Sequence, residues 1–165
     1  MARTTSEDQI QSFRFRVFED ASGPGIFADE NPIAGFTTVT TPEITSETAT
    51  HRTGSEKTTK KFLGSVEYGD GTLSRGILLG DSTFYNWIER YRNKQPFRTD
   101  LEIRVYNQEG DGTSPDDQYV KAETWRECVP TSVKPLGDLD AASADVNLQE
   151  ITVAVEEVEV DSPTA

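Results

Sequence analysis

Hydrophobic and polar positions alternate through most of this chain with the two-residue period of half-buried strands. In SFRFRVFE (12–19), Phe13, Phe15 and Val17 fall on one face and Arg14 and Arg16 on the other. IAGFTTVTTPEIT (33–45) is rich in Thr and β-branched residues, which suits a strand, with Pro42 marking a break or an edge. FLGSVEYGDGTLSRGILLG (62–80) reads as two strands, 62–68 and 72–79, joined by a Gly69-Asp70-Gly71 turn. DLEIRVYN (100–107) places Leu101, Ile103 and Val105 on one face, and YVKAETWREC (119–128) is a further strand leading into a VPTSVKP connector. In NLQEITVAVEEVEV (147–160), Ile151, Val153 and Val155 alternate, and Val158 and Val160 resume one residue out of phase. That slip across Glu156-Glu157 is the mark of a β-bulge.

One segment has a different period. In DSTFYNWIERYRN, Phe84, Trp87, Ile88 and Tyr91 recur at i, i+3, i+4 and i+7, predicting a helix over about 82–93 packed by that stripe. Asp81 or Ser82 is placed to cap it, Arg90, Arg92 and Lys94 suit its negative C-terminal end, and Pro96 stops it. Loops fall at DASGPG (20–25), ADENP (28–32), QEGDGTSPDD (108–117) and LGDLDAASAD (136–145). SETATHRTGSEKTTKK (46–61) is polar on both faces and reads as a long hairpin or loop leaving the core. The sum is a mainly-β fold: a β-barrel-like pair of packed antiparallel sheets, one flanking α-helix and a projecting hairpin at about 46–61. Residues 12–160 form one domain, with a flexible arm at 1–11 and a disordered tail at 161–165; 165 residues suit a single core.

Charge changes the picture more than composition does. The net charge is −13, yet residues 137–165 hold eight carboxylates and no Lys or Arg, leaving 21 acids against 16 bases in the first 136. Segment 51–61 is instead basic, with Arg52, Lys57, Lys60 and Lys61 against Glu56. This acidity argues against direct nucleic-acid binding, which needs cations to neutralise phosphate. Two readings of it stand: solubility or adaptation to salt, and self-complementarity, a basic projection meeting acidic surface on another copy.

The candidates for chemistry point to no reaction. His51 is the sole histidine, sits beside Arg52 in a polar Thr-rich segment, and reads as a solvated hairpin residue; no G-x-S-x-G elbow accompanies it. Cys128, the sole cysteine, reads as a buried inert thiol and excludes both an intrachain disulfide and a multi-thiolate zinc site. The Asp-rich loops lack the spacing of a calcium-binding loop, and Gly69-Asp70-Gly71 precedes a strand rather than a helix, so it is no phosphate loop. The expectation is a non-enzyme with no cofactor and no metal. The N-terminus has no apolar signal-peptide core and no run approaches 18 apolar residues, so neither secretion nor a membrane anchor is expected and assembly is expected in the host cytoplasm.

The order of elements carries a resemblance. F-x-F-x-V at 13–17, AGF-TTV running into PEIT, THRTG, Lys-Phe-Leu-Gly, TLSRG, the F-x-x-W helix, LEIRVYN, the Trp125 strand, VPTSVKP and the alternating C-terminal strand follow one another over residues 12–160. Together they resemble the tail tube protein family of contractile bacteriophage tails and phage-like injection particles. The resemblance implies a β-barrel-like subunit that forms hexameric rings, stacked into a tube around a channel for DNA or other cargo. It implies a tail sheath, a baseplate, a tail terminator and a tape measure or cargo as partners, and a place in a mature virion tail or injection particle. It makes 46–61 an arm reaching neighbouring subunits through His51, Arg52, Lys57, Lys60 and Lys61, with the lysines docking on acidic surface of the adjacent ring. The remaining acids would then face the channel, the sheath or both. Two departures stand: Thr40-Thr41-Pro42 occupies the place of a Ser-Gly-Leu found in many members, and the 20–32 loop is long. They leave open the register of the early strands, and with it a baseplate, tube-initiating or tube-terminating relative of the same fold. A type VI secretion tube protein is a further alternative.

Overall fold

The computed structural model describes residues 14–27, 32, 33, 35–106 and 118–163. They contain β1 (Phe15–Glu19), β2 (Phe36–Thr40), β3 (Ile44–His51), β4 (Lys60–Tyr68), β5 (Asp70–Gly76), α1 (Thr83–Arg92), β6 (Thr99–Tyr106), β7 (Tyr119–Lys134), β8 (Leu148–Ala154) and β9 (Glu157–Asp161). The arm expected at 1–11 and the loop expected at 108–117 lie outside the described residues, and Asp161, expected in a tail, belongs to β9.

Six strands are hydrogen-bonded in the order β1-β6-β7-β8-β5-β2, every pair antiparallel, and β9 also pairs with β7. Ile33, just ahead of β2, donates its N–H to the Val17 carbonyl of β1 at 2.8 Å, so the two ends of the path meet and the sheet wraps into a barrel. The inward rows are apolar: Val39, Leu73, Ile151 and Val133 sit opposite one another across β2, β5, β8 and β7. Trp125 fills the centre so closely that a Cβ on Gly71 would lie 2.6 Å from its ring; that glycine is there for close approach, not for a turn.

This corrects the reading of 62–80. β4 pairs with β3, whereas β5 pairs with β2 and β8, so Gly69-Asp70-Gly71 carries the chain from one sheet to another and Asp70 and Gly71 are already strand. Alternation places residues on faces but does not choose a strand's partner.

The phase slip at the C-terminus also has another cause. Arg126 pairs with Glu157 and Val129 with Ala154, so two residues of β7 face two of the chain between β8 and β9, and neither strand holds an extra one. Both bend together where Glu127 adopts φ +53, with its N–H on the Asp100 carboxylate at 2.8 Å and Arg126 tied to Asp100 and Glu159. The register shift lies further along β7, between Pro130 and Ser132. VPTSVK (129–134) is therefore strand rather than connector, and β7 serves both halves of the barrel.

The helix forms where its period predicts. Asp81 accepts the Thr83 N–H at 3.0 Å in the capping role, while the Ser82 side chain makes no cap bond. Phe84 and Trp87 are fully buried, Phe84 edge-on to Phe27 and stacked on Phe36, and the Trp87 indole donates to the Phe97 carbonyl at 2.6 Å. The stripe is narrower than expected: Ile88 is half-buried and Tyr91 is 63% exposed, its ring resting edge-on against Phe97. Ile26 and Phe27, from the first loop, fill the space beside the helix. They are held there because the buried Glu19 carboxylate accepts both their N–H groups, at 2.8 and 2.7 Å, and the Thr99 hydroxyl at 2.8 Å.

Candidate assembly surfaces

The hairpin is larger than the segment its polarity marked. It runs from Ile44 to Tyr68, with the turn between His51 and Lys60, and the strand at 62–68 belongs to it rather than to the body. All eight residues of β3 and eight of the nine in β4 are exposed, so the ribbon is held at its base, where Gly69 N–H bonds Glu43 C=O at 2.8 Å. At about 3.3 Å per residue its eight-residue strand reaches some 25 Å. Neither is it polar on both faces. Ile44, Leu63 and Val66 share one face with Lys61, and Phe62 shares the other with His51 and Lys60. The basic residues are thus distributed, not massed: Lys60 pairs with Glu56 at 2.9 Å and Arg52 Nε bonds the Glu56 carbonyl at 3.2 Å, with Lys57 and Lys61 exposed.

The outward face of the β2-β5-β8-β7 half is coated with hydroxyls. One transverse row is Thr40, Thr72, Thr152 and Ser132; the next is Thr38, Ser74, Glu150 and Lys134. This face was not legible as a unit, because it gathers residues from four distant segments.

A depression of about 480 Å³ opens on the β1-β6-β7-β9 half, lined by Glu19, Asp20, Asp100, Glu102, Glu159 and Asp161 against Arg104 and Arg126. Its acids are engaged internally: Arg126 spans Asp100 and Glu159, Arg104 holds Glu102, and the Tyr119 hydroxyl donates to Asp161 at 2.8 Å. Those bonds to Glu159 and Asp100 raise the Arg126 pKa, and the bond to Asp161 raises that of Tyr119.

A fourth surface lies at the end of the barrel away from the hairpin base. Leu78, Leu79, Leu136, Leu139 and Val146 are exposed there. Asn147 gathers them: its carbonyl accepts the Ile77 N–H at 3.2 Å, and its side-chain oxygen accepts the Gly137 N–H at 2.8 Å.

Among the described residues, the sequence candidates for chemistry are not brought together. His51 is exposed on the ribbon, and burial pushes the Cys128 thiol up to about 12, so it is protonated and inert at neutral pH. Among the described residues no group of three His, Cys, Asp or Glu is placed to hold a metal, and no helix is long and apolar enough to cross a membrane.

A barrel with open strand edges and an unpacked ribbon presents pairing surfaces of the kind that self-associating β proteins use. More particularly, the chain belongs to the T4-like virus tail tube protein gp19 family, whose model matches residues 11–159. Among solved structures it is similar to a chain of the sheath-tube complex of the extracellular contractile injection system PVC in its extended state, with TM-score 0.78 and 25% identity over 98% of this chain and 100% of that one. A sheath/tube terminator chain of the same system gives 0.77 at 23% identity, over 94% and 99%. The tube-terminating cap of the anti-feeding prophage gives 0.75 at 24%, over 96% and 98%. No curated protein sequence matches the chain.

Proposed function

We propose that this chain is a subunit of the inner tube of a contractile phage tail or injection particle, built from stacked hexameric rings inside a sheath. The carrying observation is the tail tube family match over residues 11–159 together with the fold match, over 98% of the chain, to a chain of a sheath-tube complex. In this reading β2 and the far half of β7, at the two borders of the hydroxyl face, join edge to edge between neighbours in a ring, and the face lines the channel. This differs from the acidic channel that the net charge invites: the wall is mostly hydroxyl, with Glu150 and Lys134 opposed in register. The ribbon reaches the adjacent ring with His51, Arg52, Lys57, Lys60 and Lys61. Sheath, baseplate, terminator and a tape measure or cargo complete the partners, with assembly in the host cytoplasm.

Electron microscopy of the purified protein at low and high salt tests this. Hollow tubes are expected from the wild type. The triple variant Lys57→Glu, Lys60→Glu, Lys61→Glu is expected to melt as the wild type does and to form no tubes; normal tubes from it would remove the role given to the lysines. A second reading, a terminating or capping relative, draws on the nearly equal similarity to the terminator and cap chains. It expects single rings that never polymerise.

A further inference from the structure

The ribbon ends in a residue pair whose charge follows pH. We infer that His51 makes the ribbon tip acid-sensitive: neutral, it lets the last rungs of the β3-β4 pair close, and protonated, it opens them.

His51 ends β3 directly opposite Lys60, the first residue of β4, on the outermost rung of the register. Like charges directly opposite one another destabilise a strand pair. Histidine is the side chain whose charge ordinarily changes between pH 5 and 8, a range in which lysine, arginine and glutamate ordinarily keep theirs. The outermost rung therefore sets a neutral ring against a cation in mild base, and two cations against each other in mild acid.

The surroundings do not compensate. Residues 48–66 hold Arg52, Lys57, Lys60 and Lys61 against one carboxylate, Glu56. Arg52 follows His51 in the chain, and Lys61 lies one rung down on the other face, opposite Thr50. Glu56 is already engaged: its carboxylate is 2.9 Å from Lys60 Nζ, and its carbonyl accepts the Arg52 Nε–H at 3.2 Å. Glu47, the next acid on the His51 face, sits beside Gly64, about 13 Å further along the strand. That is beyond the roughly 10 Å over which exposed charges act at 0.1 M salt. β3 is exposed along its whole length, and β4 is the element it pairs with.

The electrostatic effect is small, but so is the stability it acts on. A two-stranded ribbon in water is marginal by itself. This one is tied down at its base by the bond between Gly69 N–H and Glu43 C=O, at the end opposite His51. One unfavourable cross-strand pair shifts the opening of the end rungs by up to about five-fold. Opening scatters the cations of the tip and unseats Phe62 from Ala49, its partner two rungs in. A consequence that rests on the tube reading is that tubes become acid-sensitive, because the tip is then no longer held in one shape.

Amide hydrogen exchange of the dilute, unassembled chain at pH 7.5 and 5.5, corrected for intrinsic rates, tests the switch without requiring tubes. The wild type is expected to lose protection at residues 49–51 and 60–62 by up to about five-fold on acidification, with residues 44 and 68 at the base unchanged. His51→Gln is expected to keep its protection at both pH values, and His51→Lys to show the reduced protection at both. Equal tip protection of the wild type at the two pH values would overturn the switch, as would His51→Lys protected as well as His51→Gln. Sedimentation of preformed tubes at pH 5.5 then tests the consequence: His51→Gln tubes are expected to persist where wild-type tubes dissolve. Equal behaviour of the two would overturn acid control of assembly and leave the tube reading standing. Absence of wild-type tubes at pH 7.5 would count against the tube reading alone.

Discussion

Asp81 shows how one side chain joins three elements. Its carboxylate starts α1 through the Thr83 N–H, pairs with the fully buried Arg75 guanidinium of β5 at 2.6 Å, and accepts the Gln149 amide of β8 at 2.6 Å. Burial pushes its pKa upward, but the Thr83 N–H, the Gln149 amide and the Arg75 charge together outweigh it and hold the group below the usual 3.8. Because the folded value is depressed, its stabilising contribution is complete above pH 3.8 and fades as pH falls through that lower value. Asp81→Asn retains an oxygen for the cap but removes the negative charge that Asp81 places against the buried Arg75 guanidinium. It is expected to cost about 3 kcal/mol at neutral pH. In thermal unfolding the gap from wild type is expected to stay constant down to about pH 4 and to shrink below it. The cap was legible in DSTF, because capping is a contact between residues two apart. The other two partnerships were not: phase puts Arg75 on the face it shares with Leu73, but only the fold brings it, and Gln149 from 68 residues away, to Asp81.

At the scale of elements, the ribbon is the part least bound to the rest. Its strands bury almost nothing against the barrel, so its loss leaves the core rows intact. Replacing residues 45–67 by a two-residue Asn-Gly turn is expected to leave the melting temperature within a few degrees of the wild type while abolishing stacked tubes in micrographs. A large fall in melting temperature would show that the ribbon supports the barrel. Sequence polarity located this element but misplaced its base, for a physical reason. Phe62, Leu63 and Val66 look like core residues because apolar side chains alternate along an exposed strand just as they do along a packed one, and in the reading proposed above they await a partner subunit. The helix was read better at its start than along its face. Phe84 and Trp87 meet the loop at 26–27 and the barrel, while that packing ends before it reaches Tyr91.

For the whole molecule, the hydroxyl face makes a prediction about the channel. Thr152→Lys changes a half-buried, outward position in the middle of that face and leaves the apolar rows untouched. Tubes are expected to form, each ring now presenting extra lysines to the lumen. Purified tubes are then expected to carry nucleic acid that nuclease does not remove, read as a raised ratio of absorbance at about 260 to 280 nm. Nuclease-sensitive nucleic acid would place the face on the outside of the tube.

Periods and turn chemistry are local, and so the sequence by itself determined that the protein is mainly β, that one helix starts at Asp81-Ser82, that a projection leaves near residue 46, and which family the order of elements resembles. Partnership between strands is not local. Only the tertiary structure decided that β4 leaves the barrel with β3, that β7 bends at Glu127 to serve both halves, and that β2, β5, β8 and β7 lay their threonines and serines on one face. Alternation states which side chains share a side of a strand; which backbone lies beside it is settled by burying the inward rows of all the strands at once.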